Sequence, residues 1–150
     1  MRWARGHASV SAPGTSAYLV NRRTVLECLA VIALPVSLHA AESGAQVQRV
    51  AVIYDPRYVP SRRFAGTLAR YGAEPFDAAE DLVRLWRGAL SAYWRGAGTR
   101  IAGLTTFSDF VIARSCARQA GLASIGAPRS ERHGTGTRSF QLTSWLFGSC

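Results

Sequence analysis

Six side chains in two short segments have the types and spacing to hold an anion. Asp55, Arg57 and Tyr58 follow an apolar run that ends at Tyr54. Thr105, Thr106 and Ser108 close and follow a second run that begins at Arg100. A guanidinium offers a planar fork of donors to carboxylate or phosphate, and hydroxyls beside a helix start add donors where backbone amides already point outward. Each residue also has a plainer reading. Thr106-x-x-Asp109 has the pattern of a capping box, Asp55 before Pro56 is a turn former, and Arg57, Arg62 and Arg63 suit a solvated surface. Asp55 and Asp77 form an acidic metal pocket only if they end neighbouring strands.

Absent motifs narrow the chemistry further. His133 is the one histidine after position 40, in a polar stretch, which argues against a His-rich zinc or haem site. A Ser–His–Asp arrangement would need that stretch folded onto a serine, and no GxSxG elbow occurs. Tyr54-Asp55-Pro56-Arg57 stands where a dinucleotide fold would place glycines, and there is no P-loop. No CxxC pairing occurs among Cys28, Cys116 and Cys150. A Cys116–Cys150 bridge and a buried Cys116 beside a frayed Cys150 both fit the sequence. No cofactor is expected.

These residues need elements to position them. Val47 to Tyr54 is nearly continuous in apolar residues and fits a strand buried on both faces. Phe64, Leu68 and Tyr71 recur at helical spacing, with Ser61 as an N-cap and Gly72 as a C-cap. A short strand is expected over Ala73 to Asp77. Leu82, Trp86, Leu90 and Trp94 recur every four residues, which predicts one helix over Ala79 to Arg95, ended by Gly96-Ala97-Gly98. Arg100 to Thr105 reads as a third strand. A helix capped at Thr106 runs to Ala120 and stops at Gly121, and Leu122 to Ile125 is a short fourth strand. Pro128 to Arg138 reads as a loop, and Phe140 to Phe147 as an antiparallel edge strand.

Strands alternating with helices imply an α/β fold with a mostly parallel sheet and helices on both faces. We expect a small three-layer, flavodoxin-like sandwich of four to five strands in the order 2-1-3-4. The ligand crevice then lies between the first and third strands, where both candidate segments end. That sandwich resembles one lobe of a periplasmic binding protein, although no second lobe or hinge is expected in a chain of 150 residues.

The first forty residues have another character. Asn21-Arg22-Arg23-Thr24-Val25-Leu26 places a polar residue before two arginines, a variable residue and two apolar ones. The apolar stretch Val25 to Leu38 is shorter than the roughly 20 residues needed to cross a bilayer, and Leu38-His39-Ala40 ends it with a small residue. This segment resembles the twin-arginine export signal, with Arg22, Arg23, Val25 and Leu26 as the motif. Glu27 beside Cys28 does not suit a lipobox. The resemblance implies recognition by the twin-arginine export machinery, transient membrane contact through the signal, cleavage at Ala40/Ala41 or Ala41/Glu42, and a periplasmic address, with membrane tethering if the signal is not cut. Residues 1–20 read either as a long n-region or as an extension before a start at Val20. We therefore expect an extension and signal over 1–40, a linker over 41–48 and a single domain over 49–150.

All 18 basic residues are arginine, which fits codon usage in a GC-rich genome. Residues 41–150 hold 14 arginines against 8 acids. The arginines are scattered without aromatic interleaving, so no nucleic-acid face is expected, and a mild attraction to anions remains. Three functions compete on this reading. The first is a non-catalytic module, or an accessory subunit of an exported complex, that binds a periplasmic protein partner or a small anion. The second is a small enzyme acting on an anionic substrate. The third, a flavin-type carrier, lacks a phosphate cradle after the first strand. Replacing both motif arginines (Arg22→Lys with Arg23→Lys) is expected to hold the protein in the cytoplasm. Periplasmic accumulation of that double variant, followed by fractionation, would contradict the twin-arginine assignment.

Overall fold

The computed structural model describes residues 49–79, 81–95 and 98–149. The export motif, the linker, Cys28 and Cys150 lie outside the described residues. The described residues fold as a mixed α/β unit around one six-stranded sheet.

Strand β1 (Val50–Tyr54) is buried along nearly its whole length, as a central strand with both faces covered must be. It pairs in parallel with β2 (Glu74–Asp77) on one side and β3 (Arg100–Thr105) on the other. Helix α1 (Val59–Ala69) joins β1 to β2. Its Phe64, Ala65 and Leu68 pack with Val50, Val52, Ala102 and Leu104 on one face of the sheet. The return from β2 to β3 passes through α2 (Leu82–Arg87) and α3 (Ser91–Trp94). Leu82, Trp86, Leu90 and Tyr93 of this return pack with Ala51, Ile53 and Ile101 on the other face. Helix α4 (Phe107–Gln119) adds Phe110, Ala113 and Ala117 to that second core. The alternation of side chains along each strand separates the two clusters. Each large apolar side chain so buried contributes about 1.5–3 kcal/mol.

The fourth position in the sheet departs from the expected order. Strand β6 (Phe140–Gly148) lies antiparallel beside β3, where a parallel fourth strand was predicted. It is central rather than an edge, because its last seven residues are all buried. Leu142 and Leu146 enter the α1 core while Trp145 and Phe147 enter the other. The short β4 (Ala123–Ser124) and then β5 (Arg129–His133) run in turn along the outer edge of β6. The segment predicted as a loop therefore contains β5. It lacks an apolar alternation because it is a solvated edge, held through the ladder to β6 and a 2.8 Å contact between the Ser130 and Thr143 hydroxyls.

The helix predicted over Ala79 to Arg95 is broken. Asp77 accepts from the Ala79 amide, and Asp81 caps α2 by accepting from the amides of Val83 and Arg84. These turns delay the helix start to Leu82. Gly88 then leaves helical geometry (φ −93°, ψ −103°) and α3 restarts at Ser91. The apolar stripe survives the break: Trp94 donates from Nε1 to the Trp86 carbonyl across it at 3.1 Å, and Leu82, Trp86 and Leu90 stay buried.

One glycine is fixed by its neighbour. Gly103 lies opposite Trp145 in the β3–β6 ladder, and a Cβ at this position would fall 2.1 Å from the indole. Gly103→Ala is expected to lower the unfolding free energy by about 1–3 kcal/mol through overpacking, measured by chemical denaturation. An unchanged midpoint would mean that the indole does not lie across β3.

Candidate functional site

The first three strands have the order β2-β1-β3, so the topological switch lies at the carboxyl ends of β1 and β3. Tyr54 pairs with Leu104, which sets Asp55 beside Thr105 at the end of the ladder. The antiparallel β6 brings Phe140 to the same end, and β5 brings His133 there.

Asp55 is buried to 1% exposure and is not a free base. Its Oδ1 accepts from the Arg57 amide at 2.9 Å. The Arg57 side chain adds Nε at 3.0 and 3.1 Å from the two carboxylate oxygens and Nη2 at 2.6 Å from Oδ2. Arg57 itself is 61% exposed, so a buried carboxylate fixes one edge of a guanidinium that otherwise faces solvent. The hydrogen bond to Asp55, and next the charge of Asp55, hold Arg57 above the ordinary arginine pKa, with Tyr58 and Asp109 adding smaller attractions and burial opposing. The Tyr58 ring lies under the guanidinium at 5.8 Å. Tyr58 also packs on Phe140 at 4.7 Å, and Phe140 stacks on His133 at 5.7 Å, forming an aromatic row from β1 to β5.

Ser61 was expected as a helix cap, but the helix begins two residues earlier, at Val59, with Pro60 in its first turn. The hydroxyl is therefore free to turn into the sheet. It accepts from the Asp55 amide at 2.8 Å and donates to the Leu104 carbonyl. That single oxygen joins β1, β3 and α1 at the switch point. Its role was not legible from spacing, because the partner at Leu104 is 43 residues away.

The second candidate segment is likewise engaged. Thr105 is buried, accepts from Trp145 Nε1 at 3.1 Å and donates to the Thr106 carbonyl at 3.3 Å. Thr106 caps α4: its hydroxyl accepts from the Asp109 amide at 3.2 Å and donates to the Asp109 carboxylate at 2.7 Å. Asp109 places a negative charge in the first turn, which disfavours an anion at that helix start. Ser108 is exposed on α4. The structure thus brings Asp55, Arg57 and Tyr58 into one cluster and gives Thr105 and Thr106 to the framework.

Other reactive groups are equally committed. Asp77 ends β2 beside β1, but it binds the Ala79 amide while Asp55 is taken by Arg57, so the two do not form an acidic pocket. Among the described residues no group of three or more His, Cys, Asp or Glu is placed to hold a metal. His133 Nε2 is enclosed with no hydrogen-bond partner among the described residues, so no serine there is paired with that nitrogen. Cys116 carries a free thiol on α4 that burial pushes up in pKa, with Arg87 pulling weakly the other way. A raised pKa keeps it a poor nucleophile.

No family model, curated protein sequence or solved structure matches the chain.

Ser61→Ala leaves a buried N–H and a buried C=O without their partner. It is expected to lower the unfolding free energy by about 2–4 kcal/mol, read from the denaturation midpoint. A loss well below that range would show that the hydroxyl does not join the two strands.

Proposed function

We propose that this chain is an exported, non-catalytic α/β binding module whose Arg57 anchors an anionic group on its ligand or protein partner. One observation carries the reading: Asp55 is buried and spends its oxygens on one edge of Arg57, leaving the rest of an exposed, fixed guanidinium for an outside anion. Such a pre-set fork recognises carboxylate or phosphate with little ordering cost. Tyr58 and Phe140 supply an apolar shelf beside it.

The enzymatic alternative draws less support. At the switch point Asp55, Ser61, Thr105 and Thr106 are occupied by framework hydrogen bonds, which leaves Ser108 as the exposed hydroxyl there. We read the fold as a variant of a flavodoxin-like three-layer sandwich, in which the β2-β1-β3 portion keeps the ligand end and β6 takes the fourth place. The twin-arginine motif supports a periplasmic address, recognition by the export machinery, and a role as a binding or accessory subunit there. Among the described residues no helix is long and apolar enough to cross a membrane.

Thermal-shift and calorimetric titration with inorganic phosphate and with a dicarboxylate test the reading. Wild-type protein is expected to be stabilised. Arg57→Lys, which keeps the charge and loses the fork, is expected to bind about tenfold more weakly, and Arg57→Gln more weakly still. Equal titrations for wild type and both variants would contradict the role of Arg57.

A further inference from the structure

The outward side of α4 is not explained by the switch-point site. Three of the large apolar side chains most open to solvent lie on this one helix: Phe107 at 58% exposure, Val111 at 49% and Ile112 at 38%. The other exposed positions are Ser108, Arg114, Ser115, Arg118 and Gln119. No acid is fully exposed there, because Asp109 is half-buried and bound to Thr106.

We propose that this face of α4 is a docking surface for an anionic lipid bilayer. Apolar side chains flanked by arginine and small polar residues are the composition of a helix that lies in a membrane interface. Charge complementarity selects the surface: Arg114 and Arg118 meet anionic headgroups, with no exposed carboxylate on α4 to repel them. The angular spread selects a plane over a partner helix. At about 100° per residue, Phe107, Val111 and Ile112 span an arc of about 140°. That is wider than the narrow seam through which two helices meet. Phe107 and Val111 enter the interface, while the stems of Arg114 and Arg118 lie along it with their heads at the phosphates. This contact is separate from the anion anchor at Arg57 and does not depend on the export route.

Co-sedimentation of the purified full chain with vesicles tests it. One set contains about one-third phosphatidylglycerol in phosphatidylcholine, and the other phosphatidylcholine alone. Because every variant keeps the apolar N-terminal segment, its contribution cancels. Arg114→Gln with Arg118→Gln is expected to weaken partitioning to the anionic vesicles about thirtyfold and to change it little on the neutral ones. Phe107→Ser with Val111→Ser is expected to weaken partitioning to the anionic vesicles as well, and Tyr71→Ser, an exposed position outside α4, is expected to leave it unchanged. Thermal unfolding of each variant checks that it is folded. Folded double variants that partition like wild type would overturn the proposal, as would a wild-type chain that ignores the anionic vesicles. A co-purifying protein lost only from the α4 variants, with no vesicle binding, would assign the face to a protein partner instead.

Discussion

The hydroxyl of Ser61 sits where two parallel strands and a helix meet, and it holds them with one atom. It satisfies the last amide of the β1 end and the Leu104 carbonyl of β3. Both groups lie at the point where an open sheet usually parts to admit a ligand. Asp55, next to this junction, is buried, and a buried carboxylate needs a partner. Arg57 is that partner, and the guanidinium it brings is held from below rather than left to wander. The chemical character of this end of the molecule, a cation fixed beside the joined strands, follows from that hydroxyl and the carboxylate next to it.

A second constraint is the insertion of β6. By pairing with β3 on one edge and with β4 and β5 on the other, it extends the sheet to six strands and supplies both cores. Its Trp145 lies across Gly103 and reaches Thr105, so the strand that completes the sheet also fixes the end of β3. The aromatic row from Tyr58 through Phe140 to His133 exists only because an antiparallel strand starts where the parallel ones end. Packing and site geometry therefore share the same residues.

Much of this was readable in the sequence, for identifiable reasons. The valine- and isoleucine-rich run at β1, the apolar third strand and the Thr106 cap are local patterns with local causes, and the structure has them. The turn at Asp55 and the exposure of Arg57 were readable and the structure has both, and their pairing was within reach, since the two are separated by one residue. The rest depends on contacts distant in sequence. Nothing near Ser61 announces Leu104, nothing in Phe140 to Gly148 says which neighbour it will take, and a polar edge such as β5 carries no alternation to betray it. Asp81 and Gly88 broke a helix whose apolar period was correct, because caps and glycine act on the backbone while the period reports only the buried face.

The claim on which the account turns is that Arg57 is held rigidly by a buried carboxylate. Nitrogen-15 NMR of the arginine side chains at neutral pH measures this directly. The account predicts a resolved, slowly exchanging Nε–H for Arg57 that collapses into the solvent-averaged signal in Asp55→Asn. An Arg57 Nε–H that is already averaged in the wild-type protein would contradict it.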